Sequence, residues 1–445
     1  MKFFILFFIT TSLFSSMSIE DAWRFIESKN SGMQASKNEM KMAKLKSQSA
    51  KSMYLPKISL NANYTHLDKP IDLDTSGVSQ LMASLPIPIP FPSSLDLSKK
   101  DIFLADLQMM WPLYVGGKID AAQDIYSAKV NEAQAMLEMK KDKEFLKLIK
   151  YYYGVVVANS LYNTRKEAYK ALQLHYENAK KLQEQGQIAK IQLLNAEVKR
   201  DAAKIEYDKA ADKLAITKRA LVLLIHSDKQ ITSRLFVYKI DEDYTYYKDA
   251  LQKKSAALSL FDAKSKQTKS LIEMKKAAFK PTVIGYGDYN LYRDDSVLMK
   301  SLPNWFAGVM LKFDLLDRED RMQELEIAKL QNAKVIALKK EALQNLKILL
   351  EKSYKEMISY FKEFKSLNSS LYLAKENYRL RSLSFKEGLA TSSDVVDAEL
   401  FLEATKTKRL DAAYNFVCKL SQLLVLSGER EKFFEVAKVA EVLEK

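Results

Sequence analysis

Two kinds of hydrophobic pattern alternate along the chain, and each pattern predicts a different element. In LPKISLNANYTHL the apolar side chains of Ile58, Leu60, Ala62 and Tyr64 alternate with Ser59, Asn61, Asn63 and Thr65. This period of two is that of a strand with one apolar face. The same period recurs at Phe103, Ala105, Leu107, Met109 and Trp111, and again at Trp305, Ala307, Val309, Leu311, Phe313 and Leu315. PTVIGYGDYNLY is a weaker fourth case. Strands are therefore expected at about 57–66, 102–114, 282–292 and 305–315. Elsewhere the apolar residues return every three or four positions, as in AAQDIYSAKVNEAQAMLEMKKDKEFLKLIK and RMQELEIAKLQNAKVIALKKEALQNLKILLEK, which predicts long helices packed as in a coiled coil.

Proline placement agrees with this division. All nine prolines lie at or before position 112, or at 281 and 303, so 113–280 and 304–445 are free to be helical. A helix unbroken from Lys118 to Gln185 would run roughly 100 Å, longer than a compact domain holds. The chain can reverse at Gly186, and again at Gly388, because glycine adopts the positive φ that closes a helix. Thr391, Ser392 and Ser393 each qualify to cap the helix that follows Gly388.

The two halves repeat. Gly186 and Gly388 lie 202 positions apart, as do Trp111 and Phe313, Ala196 and Ala398, and Glu197 and Glu399. Pro56 and Pro281 lie 225 apart, so the first half carries 23 extra residues, in the segment 68–100 that contains LPIPIPFPSS. We read that segment as a long surface loop; a proline-rich ligand motif is the other reading. A strand-loop-strand-helix-turn-helix unit thus occurs twice. The expected organisation is a signal peptide over 1–18, a first repeat over 19–237, a second over 238–428 and a C-terminal segment over 429–445.

Composition narrows the function classes. The chain has 445 residues, 47% of them hydrophobic and 28% charged, and a formal charge of +14 that is spread rather than clustered. That balance suits a long solvated helical surface, and no basic cluster interleaved with aromatics points to nucleic acid. MKFFILFFITTSLFSSMS has the charged start, apolar run and small residues of a secretory signal; its apolar run is too short for a membrane span, and a buried N-terminal helix is the alternative. No later stretch is apolar over 18 or so residues, so any membrane entry would be by strands. The single Cys418 rules out an internal disulfide and reads as a small buried hydrophobe.

Chemistry-bearing patterns are sparse. His66, His175 and His226 are scattered without metal-ligand spacing, and Gly285-Tyr286-Gly287 lacks the third glycine and the helix of a dinucleotide fingerprint. The run Tyr151, Tyr152, Tyr153 is best explained by helix packing. Nothing predicts an enzyme, a cofactor or a bound metal.

The signal peptide, LPKISLNANYTHL, the twofold plan and especially GLATSSDVVDAE together resemble an outer-membrane factor of the TolC family over essentially the whole mature chain. The resemblance implies a mainly α fold with a β-barrel part: a homotrimer whose protomers each give four strands to one twelve-stranded outer-membrane barrel and long helical hairpins to a periplasmic tunnel. It also makes the C-terminal segment 429–445 periplasmic. It implies a passive exit duct for efflux or type I secretion, coupled through a periplasmic adaptor protein to an inner-membrane pump of RND or ABC type. The strands imply the same closure, since a four-stranded sheet has two open edges that lipid does not tolerate. By the resemblance, Gly186, Gln187, Gly388 and Leu389 form the hairpin tips where the adaptor docks. Asp394 and Asp397 match acidic positions at the pore entrance, where rings of carboxylates would attract cations. Read without the family, they are early-turn acids that favour a helix N-terminus. Family members latch the entrance with an Arg and a Tyr reaching an Asp; the matching positions here are Ala390, Phe385 and Gln192, so that latch cannot form. A periplasmic coiled-coil adaptor or scaffold without a pore is the alternative function.

Overall fold

The computed structural model describes residues 17–315 and 320–443; the expected signal peptide therefore lies almost wholly outside the described residues. The chain divides into two compact units, one of Met1–Lys41, Glu132–Asp262 and Ala337–Lys445, the other of Met42–Asn131 and Ala263–Ile336.

The second unit holds an antiparallel sheet ordered β1-β4-β5-β6, from β1 (Lys57–His66), β4 (Asp101–Tyr114), β5 (Thr282–Arg293) and β6 (Trp305–Lys312). Directly paired residues share a face. Ile58, Leu60, Ala62 and Tyr64 pair with Met109, Leu107, Ala105 and Phe103. Met109 and Leu107 then pair with Gly287 and Tyr289, and these with Ala307 and Trp305. One continuous apolar face results. The opposite face carries Asn61 against Asp106, whose side chains hydrogen-bond at 2.8 Å, then Asn290, with Gln108 against Asp288 one step along. Both edge strands, β1 and β6, are open on one side. Gly308 on β6 leaves room for the Tyr286 ring, since a Cβ there would sit 2.7 Å from its hydroxyl. The last strand stops at Lys312, short of Phe313 and Leu315.

Between β1 and β4 the chain is not a featureless loop. It forms β2 (Asp72–Asp74) and β3 (Ser94–Asp96), an antiparallel pair, with α3 (Ser76–Ala83) at its head.

The helices repeat more fully than the sequence pattern indicated. α1 (Ile19–Lys29), α2 (Ser31–Lys51) and a 3₁₀ turn at Ser52–Tyr54 precede β1; α6 (Tyr244–Lys254), α7 (Ala256–Lys276) and a 3₁₀ turn at Ala277–Phe279 precede β5, every boundary displaced by 225 positions. Each leading helix starts on a side-chain cap, Ser18 for α1 and Asp243 for α6. The repeating unit therefore begins with two helices, not with a strand. The proline pattern left 113–280 free to be helical, which covers α6 and α7 without delimiting them, and no element was expected between residue 19 and the first strand.

The long hairpins are α4 (Lys118–Glu184) with α5 (Lys190–Ile225), and α9 (Arg321–Lys386) with α10 (Ser392–Leu426). α8 (Val297–Ser301) lies between β5 and β6, and α11 (Lys432–Leu443) closes the described chain. The core of the first unit is aromatic: Trp23 packs edge-on against Phe145, and Phe145 against Phe433 and Phe434 of α11. This is where the tyrosine run goes, with Tyr152 and Tyr153 fully buried and the Tyr152 hydroxyl donating to the Met17 carbonyl at 2.8 Å. Cys418 is half-buried rather than buried, and its surroundings push the thiol pKa up by desolvation.

Candidate functional site

The two hairpin tips, both in the first unit, are built by the same backbone device. After α4, the Gln187 N–H donates to the Leu182 carbonyl at 2.8 Å and the Gly186 N–H to Gln183 at 2.9 Å. After α9, Leu389 donates to Ser384 at 2.8 Å and Gly388 to Phe385 at 3.0 Å. These are paired Schellman motifs, and they need a left-handed residue, which Gly186 (φ 70°) and Gly388 (φ 74°) supply. A Cβ on either glycine would meet nothing within 4 Å, so the dihedral alone demands glycine. Leu389 stands at its tip almost fully exposed, at 82%.

The helices that leave the tips start differently. Ala189 precedes α5 and offers no side-chain cap. Thr391 precedes α10 and forms a full capping box: its Oγ1 accepts from the Asp394 N–H at 3.3 Å, while the Asp394 carboxylate accepts from the Thr391 N–H at 2.8 Å and from its hydroxyl at 2.7 Å. Of the three eligible caps, Thr391 is the one used. Those bonds, with Arg381 at 3.6 Å, hold the Asp394 carboxyl below its ordinary pKa, the Thr391 hydroxyl bond being the main cause. Asp397, one turn on, is exposed and has no hydrogen-bond or ion-pair partner among the described residues.

Packing joins the tips to each other. Ala179 of α4, Ala196 of α5, Phe385 of α9 and Val395 of α10 are buried in one apolar cluster, with Ala390 packed against it. Two of the three positions left without a polar latch, Phe385 and Ala390, thus serve as apolar contacts, and Gln192 is half-buried. His175 of α4 lies 4.6 Å from the Phe385 ring, centroid to centroid, and its Nε2 shares a buried 2.7 Å hydrogen bond with the Ser392 hydroxyl. Desolvation pushes the His175 pKa down to about 4, so the imidazole is neutral near pH 7. A neutral polar bond thus joins α4 to the start of α10, and a ring contact joins α4 to the end of α9.

Further along α10, charge is buried. Glu403 pairs with Arg165 of α4, and Lys406 with Glu167 at 2.8 Å. Glu399 is 4% exposed and its Oε2 has no partner. Desolvation pushes its pKa up to about 7, with Glu403 and Glu167 adding to the rise and Lys406 opposing it. Its counterpart Glu197 is partly solvated and lies 3.6 Å from Arg200. Sequence reasoning used Glu399 only as a repeat marker; VVDAE differs from LLNAE only in Val for Leu and in Asp397 for Asn195, and nothing in that local pattern signals the burial of Glu399. The other histidines go elsewhere: His66 pairs with Asp101 on the sheet, and His226 holds the left-handed C-cap of α5 at φ 49°. Gly428, 202 positions later, holds the same conformation. Among the described residues no three His, Cys, Asp or Glu side chains cluster as a metal site, and no helix is long and apolar enough to cross a membrane.

Comparison with known proteins agrees with this architecture. Residues 26–225 match the family model described as outer membrane efflux protein. No curated protein matches the sequence. Among solved structures, the chain is similar to the CmeC outer membrane channel of Campylobacter jejuni, at 14% identity and a TM-score of 0.76 over 97% of this chain and 92% of that one. It is similar to the open-state MtrE outer membrane channel of Neisseria gonorrhoeae, at 17% identity and a TM-score of 0.75 over 93% and 89%. The outer membrane protein VceC of Vibrio cholerae matches at 13% identity and 0.74 over 92% and 96%. The resemblance to the TolC family therefore holds, on the family match in the first half and on the fold of nearly the whole chain. Residues 26–225 are similar to the outer membrane efflux protein family, and the fold of nearly the whole chain is that of the outer membrane channels CmeC and MtrE.

Proposed function

We propose that three copies of this chain close a twelve-stranded barrel in the outer membrane and a helical tunnel in the periplasm, and that the assembly is the passive exit duct of a tripartite efflux or type I secretion system. The observation that carries this reading is the sheet: four strands with one continuous apolar face, an opposite face with a polar patch of Asn61, Asp106, Gln108, Asp288 and Asn290, and two open edges. Bacterial barrels begin at about eight strands, and lipid does not tolerate unpaired backbone, so the edges must be met by other copies. Exposed apolar residues on α5 support the same association, since Ile191, Val198 and Ile205 recur every seven positions and stand 55–70% exposed.

In this reading the two repeats, over 19–237 and 238–428, each give two strands and one hairpin, and the tips at Gly186, Gln187, Gly388 and Leu389 receive a periplasmic adaptor. An exposed leucine at a rigid turn is a suitable docking knob. Energy comes from an inner-membrane pump, of RND or ABC type, because the chain carries no nucleotide-binding signature. The duct itself performs no chemistry. Asp394 and Asp397 line the entrance as carboxylate rings. Asp397 is the free member of the pair, and Asp394 doubles as the cap of its helix.

Separation of cell envelopes by density tests the reading. The protein should sediment with the outer membrane, resist high-salt washing and cross-link as a trimer. Recovery in the soluble periplasm would replace the duct with a scaffold whose strands pack internally. At the entrance, Asp397→Asn should weaken divalent-cation block of single-channel current more than Asp394→Asn, and unchanged block in both would remove the pair from the pore.

A further inference from the structure

The segment between β1 and β4 is a finger whose chemistry is inverted. Its polar groups bond inward. Leu67 N–H donates to the Lys100 carbonyl at 2.8 Å and Leu97 N–H to Ile71 at 2.7 Å; Thr75 N–H donates to Ser93 at 2.9 Å. The Ile71 N–H reaches the Ser98 hydroxyl at 2.9 Å, and the Thr75 and Ser79 hydroxyls donate to the carbonyls of Pro92 and Phe91 at 2.6 and 2.7 Å. Its apolar side chains face out. Leu85, Ile87, Ile89 and Phe91 are 41, 80, 51 and 36% exposed, and Leu81 at the end of α3 is 66% exposed.

The arm 85–92 alternates those four residues with Pro86, Pro88, Pro90 and Pro92. Proline has no N–H, so the arm from Pro86 to Pro92 contains only three backbone donors, and that of Ile89 is bonded to the Met82 carbonyl at 3.3 Å. Such a surface has little to offer a polar protein partner. It loses little on leaving water, because few donors need desolvation and apolar side chains gain from burial.

Its place in the fold gives the occupant. The finger leaves the sheet at the end opposite the connections to α2 and α4. That end of the sheet is ringed with aromatics on every strand: Tyr64 on β1, Phe103 on β4, Tyr289 and Tyr292 on β5, Trp305 and Phe306 on β6, with Phe103 and Tyr292 packed edge-on at 5.3 Å. Aromatic side chains at strand ends mark the boundary between lipid and water in membrane barrels. The finger springs from that boundary.

We propose that the finger is an interfacial anchor, its arm 85–92 lying in the lipid of the outer leaflet beside the barrel. The carbonyls of the exposed Pro86, Pro88 and Pro90 suit the hydrated headgroup layer, and Leu85, Ile87, Ile89 and Phe91 reach the acyl chains beneath it. The proposal rests on the outer-membrane reading, and the experiment separates the two. Full-length protein carrying Cys418→Ser and Ile87→Cys, with Phe91→Cys as a second position, is labelled with an environment-sensitive fluorophore and reconstituted in vesicles of phosphatidylcholine and phosphatidylglycerol. Flotation of the vesicles reports whether the protein is integral at all; failure to float sinks the outer-membrane reading and the anchor with it. In floating protein, loss of fluorescence to doxyl-bearing lipid, with protection from aqueous iodide, is the expected result at both positions, and Lys69→Cys should show the reverse. Quenching by iodide alone would place the finger in water. Protection from both quenchers would place it against a second copy of the chain, and either outcome overturns the anchor.

Discussion

The two hairpin tips are copies of one backbone turn with different chemistry around it. Both close on a glycine near φ 70° with the same pair of hydrogen bonds, at positions 202 apart. The first then starts α5 on Ala189 without a cap, and its Glu197 is solvated beside Arg200. The second starts α10 on a capping box, buries Phe385, and carries Glu399 out of water. Backbone geometry tolerates duplication because it needs only one glycine per turn. Side-chain roles diverge because the two hairpins meet different neighbours: α10 contributes a long buried row from Val395 to Leu424, whereas α5 buries far fewer residues.

The largest break in that comparison is expected at the buried ring. Phe385→Ala should cost about 3–5 kcal/mol of local stability by emptying the space between α4 and α10. The matching change in the first tip, Gln183→Ala, should stay within about 0.5 kcal/mol, because no buried contact is lost. Hydrogen exchange across the first turns of α10 and of α5 compares the two, and equal effects would mean that the tip cluster carries no weight.

Next comes pH. Glu399 has a folded-state pKa of about 7 against an ordinary 4.5. The folded state thus holds its proton more tightly than the unfolded chain. The protonated side chain's contribution is complete below pH 4.5 and is lost as pH rises toward and through 7, a change on the order of 3 kcal/mol at about 1.4 kcal/mol per unit. Glu399→Gln should remove this dependence and leave the protein more stable than the parent at pH 8, with little difference near pH 4.5. Thermal unfolding of parent and variant at several pH values reads both differences.

Much of this contrast lies outside what the sequence can express. The strands were legible because a period of two with aromatic ends has few other meanings, and the register places Ile58, Leu60 and Tyr64 beside Met109, Leu107 and Phe103 on one face. The turns were legible because Gly186 and Gly388 interrupt glycine-poor helix. Thr391 could not be told from Ser392 or Ser393, since a cap is chosen by where the helix begins, and that depends on the Gly388 turn. His175 against Ser392 joins residues 217 positions apart, and no local pattern encodes such a contact. Glu399 was visible as a letter but its burial was not, because burial is set by α4 and α9 rather than by its own helix. The inward bonding of the finger was equally hidden behind a proline-rich composition.

Glycine substitutions test the shared part. Gly186→Ala and Gly388→Ala should each cost about 1–2 kcal/mol, since an L side chain resists the left-handed conformation and nothing else is disturbed. The two values should match. At Gly428 the cost should be larger, because a Cβ there would lie 2.6 Å from the Lys254 carbonyl oxygen. Melting of the three variants side by side separates a purely dihedral penalty from one with a clash added.

The smallest effect is the most direct sharpening of the comparison, because it moves chemistry from one tip to the other. Ala189 and Gln192 occupy the places that Thr391 and Asp394 fill in the second hairpin. Ala189 has φ −70° and ψ 148°, close to the −86° and 160° of Thr391, so the backbone is already set for a capping side chain. Ala189→Thr with Gln192→Asp should therefore rebuild the box and stabilise the start of α5 by about 1 kcal/mol. The reciprocal Thr391→Ala should cost a similar amount at α10. Slower hydrogen exchange confined to the first turn of α5 would show that the tips differ there by side chains alone. No change would mean that the first tip holds its backbone too loosely for a cap to engage, and the asymmetry would then lie in the turn itself.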